Sequence, residues 1–266
     1  METALHNILE RVRAAAADAT PLRLCGGGSK DFHGLALEGT PLELRPLRGI
    51  ISYEPTELVV TARAGTPLQE LQATLAQAGQ ALAFEPPHFA LGDKQPTVGG
   101  MVAAGWSGPA RASSGAVRDF VLGVEIINGR GELLRYGGQV MKNVAGYDVS
   151  RLMAGSWGTL GVITEVSLKV LPVAPAQATL VFAMNEAQAL EALNRWGGQP
   201  LPLNASCWAQ GQLWLRLCGA QAAVQAACQK LGGERLPDDQ AAALWHSLRE
   251  QQHTWFAQRN DANALW

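Results

Sequence analysis

The residues with the clearest capacity for chemistry in this 266-residue chain are glycines, 29 in all and many of them clustered. Gly26, Gly27 and Gly28 run into Ser29 and Lys30. Gly99 and Gly100 follow Pro96, Thr97 and Val98. Gly155, Gly158 and Gly161 stand at every third position of GSWGTLGVIT. Successive backbone N–H groups in a glycine turn form a concavity that binds a phosphate-like anion without a helix dipole behind it. GGGSK adds a hydroxyl and an ammonium to such a turn. The spacing at 155–161 would let a large flat body lie against the backbone, where side chains would be in its way. The alternative is that these glycines only shape a turn. Two other phosphate motifs fit poorly. A P-loop opens a helix with Gly-Lys-Ser/Thr, whereas the order here is Gly-Ser-Lys. A G-x-G-x-x-G fingerprint leads from strand to helix, whereas GSWGTLG leads into an apolar, β-branched strand pattern.

The bulk numbers narrow the chemistry further. The formal charge is −2 and the pI about 6.2, so there is no basic surplus to neutralise nucleic-acid phosphates. Cys25, Cys207, Cys218 and Cys228 form no C-x-x-C pair and do not have the spacing of a zinc ribbon or an iron–sulfur loop. They read as reduced thiols of a cytoplasmic protein. The N-terminal stretch is amphipathic rather than a signal peptide, and no run approaches the ~20 apolar residues of a membrane helix.

Several elements must position the glycine clusters. Leu5, Ile8, Leu9 and Val12 predict an N-terminal helix. TPLRLCGGGSKDF reads as a strand feeding the first glycine loop, and LELRPLRGIISY and TELVVTARAG as further strands. TPLQELQATLAQAG predicts a helix with Thr66 as N-cap, Pro67 in its first position, Gln69 completing a capping box and Gly79 as the stop. Residues 96–120 are dense in Gly, Ala and Ser and fit no ordinary helix or strand. FVLGVEIINGRGELLRY predicts a hairpin about NGRG, DVSRLM a short helix starting near Asp148, and residues 155–172 a strand ending at Pro172. PVAPAQ marks a boundary. Beyond it, strand, helix, hairpin and two further helices predict helices on one face of an antiparallel sheet. The fold class is α+β.

Gly-Gly-Gly-Ser (26–29), Pro-Thr-Val-Gly-Gly (96–100), Ser-Gly-Ala-Val-Arg-Asp (114–119) and Gly-Ser-Trp-Gly-Thr-Leu-Gly-Val-Ile-Thr-Glu (155–165) occur in an order that resembles the vanillyl-alcohol oxidase, or PCMH, type of FAD-binding domain. The resemblance spans about residues 20–172. GIISYEPTELVVTARAGTPL, VRDFVLG and MKNVAGYDVSRLMAGSWGTLGVITEVSLKVLP are similar, more specifically, to the FAD-binding subunits of bacterial glycolate oxidases, and the likeness continues to the end of the chain.

The resemblance implies a two-subdomain FAD-binding domain over residues 1–172 and a smaller α+β cap-like domain over 173–266. Relatives continue past NDANALW, which implies that the second domain is incomplete. The implied FAD contacts are Gly26, Gly27, Gly28, Ser29 and Lys30 at the pyrophosphate, and Pro96, Thr97, Gly99 and Gly100, with the last three approaching both the pyrophosphate and the flavin. Ser113, Ser114, Gly115 and Arg118 continue that wall. Gly155, Gly158, Gly161, Val162 and Ile163 lie under the cofactor, the last three toward its adenosine end. No histidine follows the first glycine loop directly, so the expected FAD is non-covalent, with His33 the weak candidate for a bond. The implied activity is oxidation of glycolate, a 2-hydroxy acid, to glyoxylate, with a second flavin subunit and an iron–sulfur subunit as partners and attachment to the inner membrane only through them. The alternative is an accessory subunit whose FAD serves structure or electron relay. Such a reaction needs a base and a carboxylate-binding cation. His33, His88, His246 and Arg111 are the candidates, and Trp106 could pack on the cofactor; none sits in a motif that singles it out. The tryptophans beyond residue 190 (Trp196, Trp208, Trp214, Trp245, Trp255 and Trp266) suit a docking surface or a core equally.

Overall fold

In the computed structural model, residues 3–34, 36, 38–138 and 147–257 are described; MKNVAG, NDANALW and Trp266 lie outside them. The chain forms two compact units, Met1–Trp106 with Ala116–Pro172, and Ser107–Gly115 with Val173–Trp266.

The first unit begins with helix α1 (Thr3–Ala17), whose stripe of Leu5, Ile8, Leu9 and Val12 is buried as its spacing requires. Strands β1 (Leu22–Cys25) and β2 (Thr40–Glu43) pair in parallel beside it. Leu42, Leu44 and Leu47 complete that small core. Then come β3 (Ile50–Glu54), β4 (Val59–Arg63), α2 (Leu68–Gln77), β5 (Gln80–Ala81) and α3 (Val98–Ala104). After α4 (Arg111–Ser114), which belongs to the second unit, follow α5 (Val117–Phe120), β6 (Val121–Ile127), β7 (Leu133–Gly137), α6 (Val149–Leu152), β8 (Val162–Lys169) and β9 (Leu171–Pro172).

Five of these strands make an antiparallel sheet in the order β3-β4-β8-β6-β7. Side chains alternate between its faces. Val60, Ala62, Val124, Ile126, Val166 and Leu168 face a core shared with Leu68, Leu71 and Leu75 of α2, Met101 and Val102 of α3, and Phe120 of α5.

The register places four charged residues in one row across the sheet. Arg63 stands opposite Glu165, Glu165 opposite Glu125, and Glu125 opposite Arg135. Adjacent like charges repel, and the flanking guanidiniums offset this. Arg63 Nη1 lies 3.2 Å from Glu165 and 3.3 Å from Glu125, and Arg135 Nε lies 2.7 Å from Glu125. Burial raises the Glu165 carboxyl above its ordinary value; Glu125 adds to the rise, and Arg63 and Arg135 oppose it. A carboxyl raised in the fold favours the folded state fully below its unfolded value of 4.5, and that contribution is lost as pH rises through the folded value. Glu165→Gln is therefore expected to remove a fall in stability with rising pH just above pH 4.5, read from urea melts across pH 4–7. A slope equal to that of the parent protein would contradict the assignment.

Two local expectations are corrected. Thr66 does not cap α2: Pro67 holds the N-cap position without a side-chain bond, and the Gln69 capping box is not formed. Thr66 Oγ1 instead accepts from Gly49 N–H at 2.9 Å and donates to Gly49 O at 3.1 Å, fastening two loops. The stretch 96–120 is helical in three short pieces, α3, α4 and α5. In α3, burial of Val98, Met101 and Val102 overrides weak helix propensity, and Thr97 caps the helix by accepting from Gly100 N–H at 3.2 Å.

In the second unit, β10 (Ala176–Ala183), α7 (Glu186–Gly197), β11 (Leu203–Ala209), β12 (Gln212–Gly219), α8 (Gln221–Leu231), β13 (Glu234–Arg235), α9 (Asp238–Arg249) and α10 (Thr254–Ala257) follow one another. The sheet order is β11-β12-β10-β13, antiparallel throughout. Helices cover both faces rather than one. α7 and α8 bury Leu180, Leu213, Leu215 and Leu217. α9 covers the other face through Ala241 and Trp245, whose indole N–H donates to Thr179 Oγ1 at 2.9 Å. Trp196, Trp214 and Trp245 are core residues, while Trp208 and Trp255 are partly exposed. Residues 107–115 group with this unit because α4 packs on β11, where Ser113 Oγ donates to Asn204 O at 2.6 Å.

Candidate functional site

The first unit holds a cavity of about 190 Å³ where three segments converge: the loop after β1, the start of α3, and residues 157–163 leading into β8. Its walls include Gly26, Gly27, Gly28, Ser29 and Lys30, then Thr97, Gly99 and Gly100, then Gly158, Gly161 and Ile163. Leu24, Asp31, His33, Leu44, Ala64, Ala103, Ala104 and Trp157 complete it.

The glycines first let these segments touch one another. A Cβ on Gly27 would lie 1.5 Å from the backbone oxygen of Gln95, so the first loop lies directly on the strap before α3. Gly99 N–H donates to Ala64 O at 2.8 Å, which ties the start of α3 to the end of β4. Residues 155–157 lie along α3, with Gly155 N–H on Val102 O at 3.1 Å and Trp157 N–H on Ala103 O at 2.9 Å. The local turn and the convergence of segments are thus one device, since each turn brings its backbone against a neighbour.

Among the described residues, no acceptor takes the backbone N–H groups of Gly26, Gly27, Gly28 or Ser29. Four successive donors in a loop, with Gly28 at φ +73°, suit an anion nest. The Lys30 ammonium adds positive charge there, 3.2 Å from Ser29 Oγ and 5.7 Å from the centre of the Phe89 ring. Lys30, Asp31 and His33 are the titratable side chains of the cavity wall. Beside the loop, rings gather. His33 stacks on Trp157 at 4.5 Å and 22°, and meets Trp106 edge-on at 4.9 Å, while Phe32 and Phe89 also pack on Trp106. Donors for a pyrophosphate next to surfaces for a flat ring are the fittings a dinucleotide needs.

Other residues singled out from sequence do not line this cavity. Pro96 lies beside it, its carbonyl accepting from Leu68 N–H. Gly155 is held against Val102, and Val162 is buried in the small core under α1. Ser113, Ser114 and Gly115 belong to the second unit. Arg118 is exposed on α5, 4.0 Å from Asp119. His88 bonds Gln72 Oε1 at 2.8 Å, Arg111 is exposed on α4 and His246 is exposed on α9. Sequence reasoning missed Trp157; the available signal was a bulky ring inside a run of glycines. It also missed Leu24, Leu44 and Ala64, which carry no chemical signature.

Comparison with known proteins agrees with this geometry. A family model for the FAD binding domain matches residues 5–137. The glycolate oxidase subunit GlcE of Escherichia coli (strain K12) is 50% identical over 94% of this chain and 69% of its own length. The D-lactate dehydrogenase of Anaerostipes hadrus is 33% identical over 59% of the chain, and the glycolate oxidase subunit GlcD of Bacillus subtilis (strain 168) is 32% identical over 59%. The chain spans only about a third of those two relatives (31% and 32%). A solved alkyldihydroxyacetonephosphate synthase shares the fold with a TM-score of 0.69 and 17% identity, over 94% of this chain and 54% of that one. Among the described residues, no helix is long and apolar enough to cross a membrane. From its glycine-built cavity to its sequence relatives, the chain belongs to the PCMH-type FAD-binding family of flavin-dependent oxidoreductases that includes the glycolate oxidase subunit GlcE, and its cofactor is FAD.

Proposed function

We propose that this protein is the FAD-bearing subunit of a multi-subunit oxidase acting on glycolate or a close 2-hydroxy acid. The likeness to GlcE supports this reading, and the observation that carries it is the row of four unaccepted N–H donors in the cavity. Gly26 to Ser29 hold the pyrophosphate through the main chain, and Lys30 balances its charge. Thr97, Gly99, Gly100, Gly158, Gly161 and Ile163 line the rest of the cavity. Bound FAD supplies a two-electron acceptor. The chain positions it and shields one side from water with Leu24, Leu44, Ala64 and Ala103. The partners in this reading are a second flavin subunit, of the kind named GlcD in Bacillus subtilis, and an iron–sulfur subunit that passes electrons onward. The complex is cytoplasmic and meets the membrane only through a partner.

A second reading, an accessory subunit whose flavin does not meet substrate, is favoured by the placement of the candidate bases. His88 and His246 do not line the cavity, and His33 is engaged in an aromatic stack. One experiment separates the two. The chain is reconstituted with FAD and mixed with glycolate without oxygen, alone and with its partners. Bleaching of the flavin band in the isolated chain is the result expected of a substrate-oxidising subunit. A stable, unbleached band in the isolated chain supports the accessory role. Failure to retain any FAD refutes both.

A further inference from the structure

The tripeptide Ser156-Trp157-Gly158 carries two unfavourable features that the fold alone does not explain. Trp157 sits at φ +51°, in the left-handed region that bulky side chains avoid. The preceding Ser156 hydroxyl is buried with no hydrogen-bond partner among the described residues. Glycine would fit the Trp157 backbone without strain, and glycine stands at 155 and 158 on either side. Strain retained at a cavity wall points to a role there. The indole is 40% exposed and lines the cavity together with His33, with which it forms a near-parallel stack. Trp106 buttresses both rings edge-on, at 5.5 Å from Trp157 and 4.9 Å from His33.

We infer that Trp157, held by His33 and Trp106, is a stacking platform for one of the two flat ring systems of the bound dinucleotide, with Trp157 as the anchor. This rests on the reading that the cavity takes the pyrophosphate of FAD. An anion held by the Gly26–Ser29 N–H groups leaves the attached rings to run along the walls, and this aromatic group is the flat surface those walls offer. The left-handed backbone at 157 presents the indole to the cavity while its N–H stays on Ala103 O at 2.9 Å.

The test is Trp157→Gly with Trp157→Phe as the ring-retaining control. FAD affinity is measured by titration, and the melting temperature of the FAD-free protein by calorimetry. Loss of a stacked ring typically weakens binding about 5- to 150-fold. The expected result is a loss of that size in Trp157→Gly, with the FAD-free melting temperature held or raised and Trp157→Phe within about threefold of the parent protein. A structural role alone would move the two readouts the other way, lowering the melting temperature and leaving FAD affinity intact, which would overturn the inference. If Trp157→Gly fails to fold, Trp157→Leu against Trp157→Phe decides on FAD affinity alone. Parallel titrations with ADP and FMN show which ring is stacked: a loss confined to ADP identifies the adenine, and a loss confined to FMN the isoalloxazine. If the parent protein binds no FAD, the proposed function fails. If it binds FAD and Trp157→Gly binds equally well, only the stacking inference fails.

Discussion

Gly27→Ala is expected to destabilise the first unit by about 3 kcal/mol and to weaken FAD binding by about two orders of magnitude. The added methyl would lie 1.5 Å from the Gln95 backbone oxygen and 2.7 Å from its carbonyl carbon. Backbone cannot rotate away as a side-chain tip can, so the loop or the strap before α3 must shift. Either shift displaces the N–H groups of Gly26 to Ser29, on which the proposed pyrophosphate site depends. Gly129→Ala is the control, since nothing lies within 4 Å of its Cβ position and its φ is not positive. Urea melts of the FAD-free proteins and FAD titrations would show both variants behaving alike if the close approach at Gly27 were unimportant.

Glu125→Ala is expected to cost a similar amount, about 3 kcal/mol, although Glu125 does not line the glycine-walled cavity. Glu125 is 3% exposed, and its carboxylate is held by Arg63, Arg135 and the Thr164 hydroxyl, the last at 3.0 Å. Breaking a buried charge cluster by removing one member typically costs about 3–5 kcal/mol, because the remaining charges stay out of water. Two observations place this case at the lower end. Arg135 is 72% exposed and rehydrates easily, and Arg63 keeps Glu165 as a partner. Glu125→Gln should fall nearer 1–2 kcal/mol, because an amide still satisfies part of the hydrogen bonding. A double-mutant cycle with Arg135→Ala checks the partition, with an expected Glu125–Arg135 coupling below about 1 kcal/mol. A cost for Glu125→Ala below about 1 kcal/mol would mean that water reaches the carboxylate row.

How much of this was legible in the sequence depended on whether the signal was local. The stripe Leu5-Ile8-Leu9-Val12, the turn at Asn128 and the start of α6 at Asp148 are set by residues within a few positions of one another, and the structure has them where the spacing placed them. Thr66 failed as a cap because a distant loop at Gly49 competed for its hydroxyl. α3 was illegible because burial, not propensity, makes its small-residue segment helical. At the site, glycines 26–28, 99, 100, 158 and 161 announced themselves by type. The nearest neighbours of Gly27, Gly99 and Gly158, which are Gln95 O, Ala64 and Leu24, are joined to them only by the fold. The row Arg63-Glu165-Glu125-Arg135 is likewise a product of strand register, with each member drawn from a different strand.

The chain leaves the first unit after Trp106, returns at Ala116 and leaves again after Pro172. Neither unit is therefore a contiguous gene segment. A fragment ending at Pro172 would carry residues 107–115 as a stranded insert, its buried Ala110 deprived of the β11 surface on which α4 lies. The matching C-terminal fragment would lack the same nine-residue piece. Truncation at the sequence boundary would then be penalised in both fragments, since each loses contacts that the nine-residue piece makes or receives.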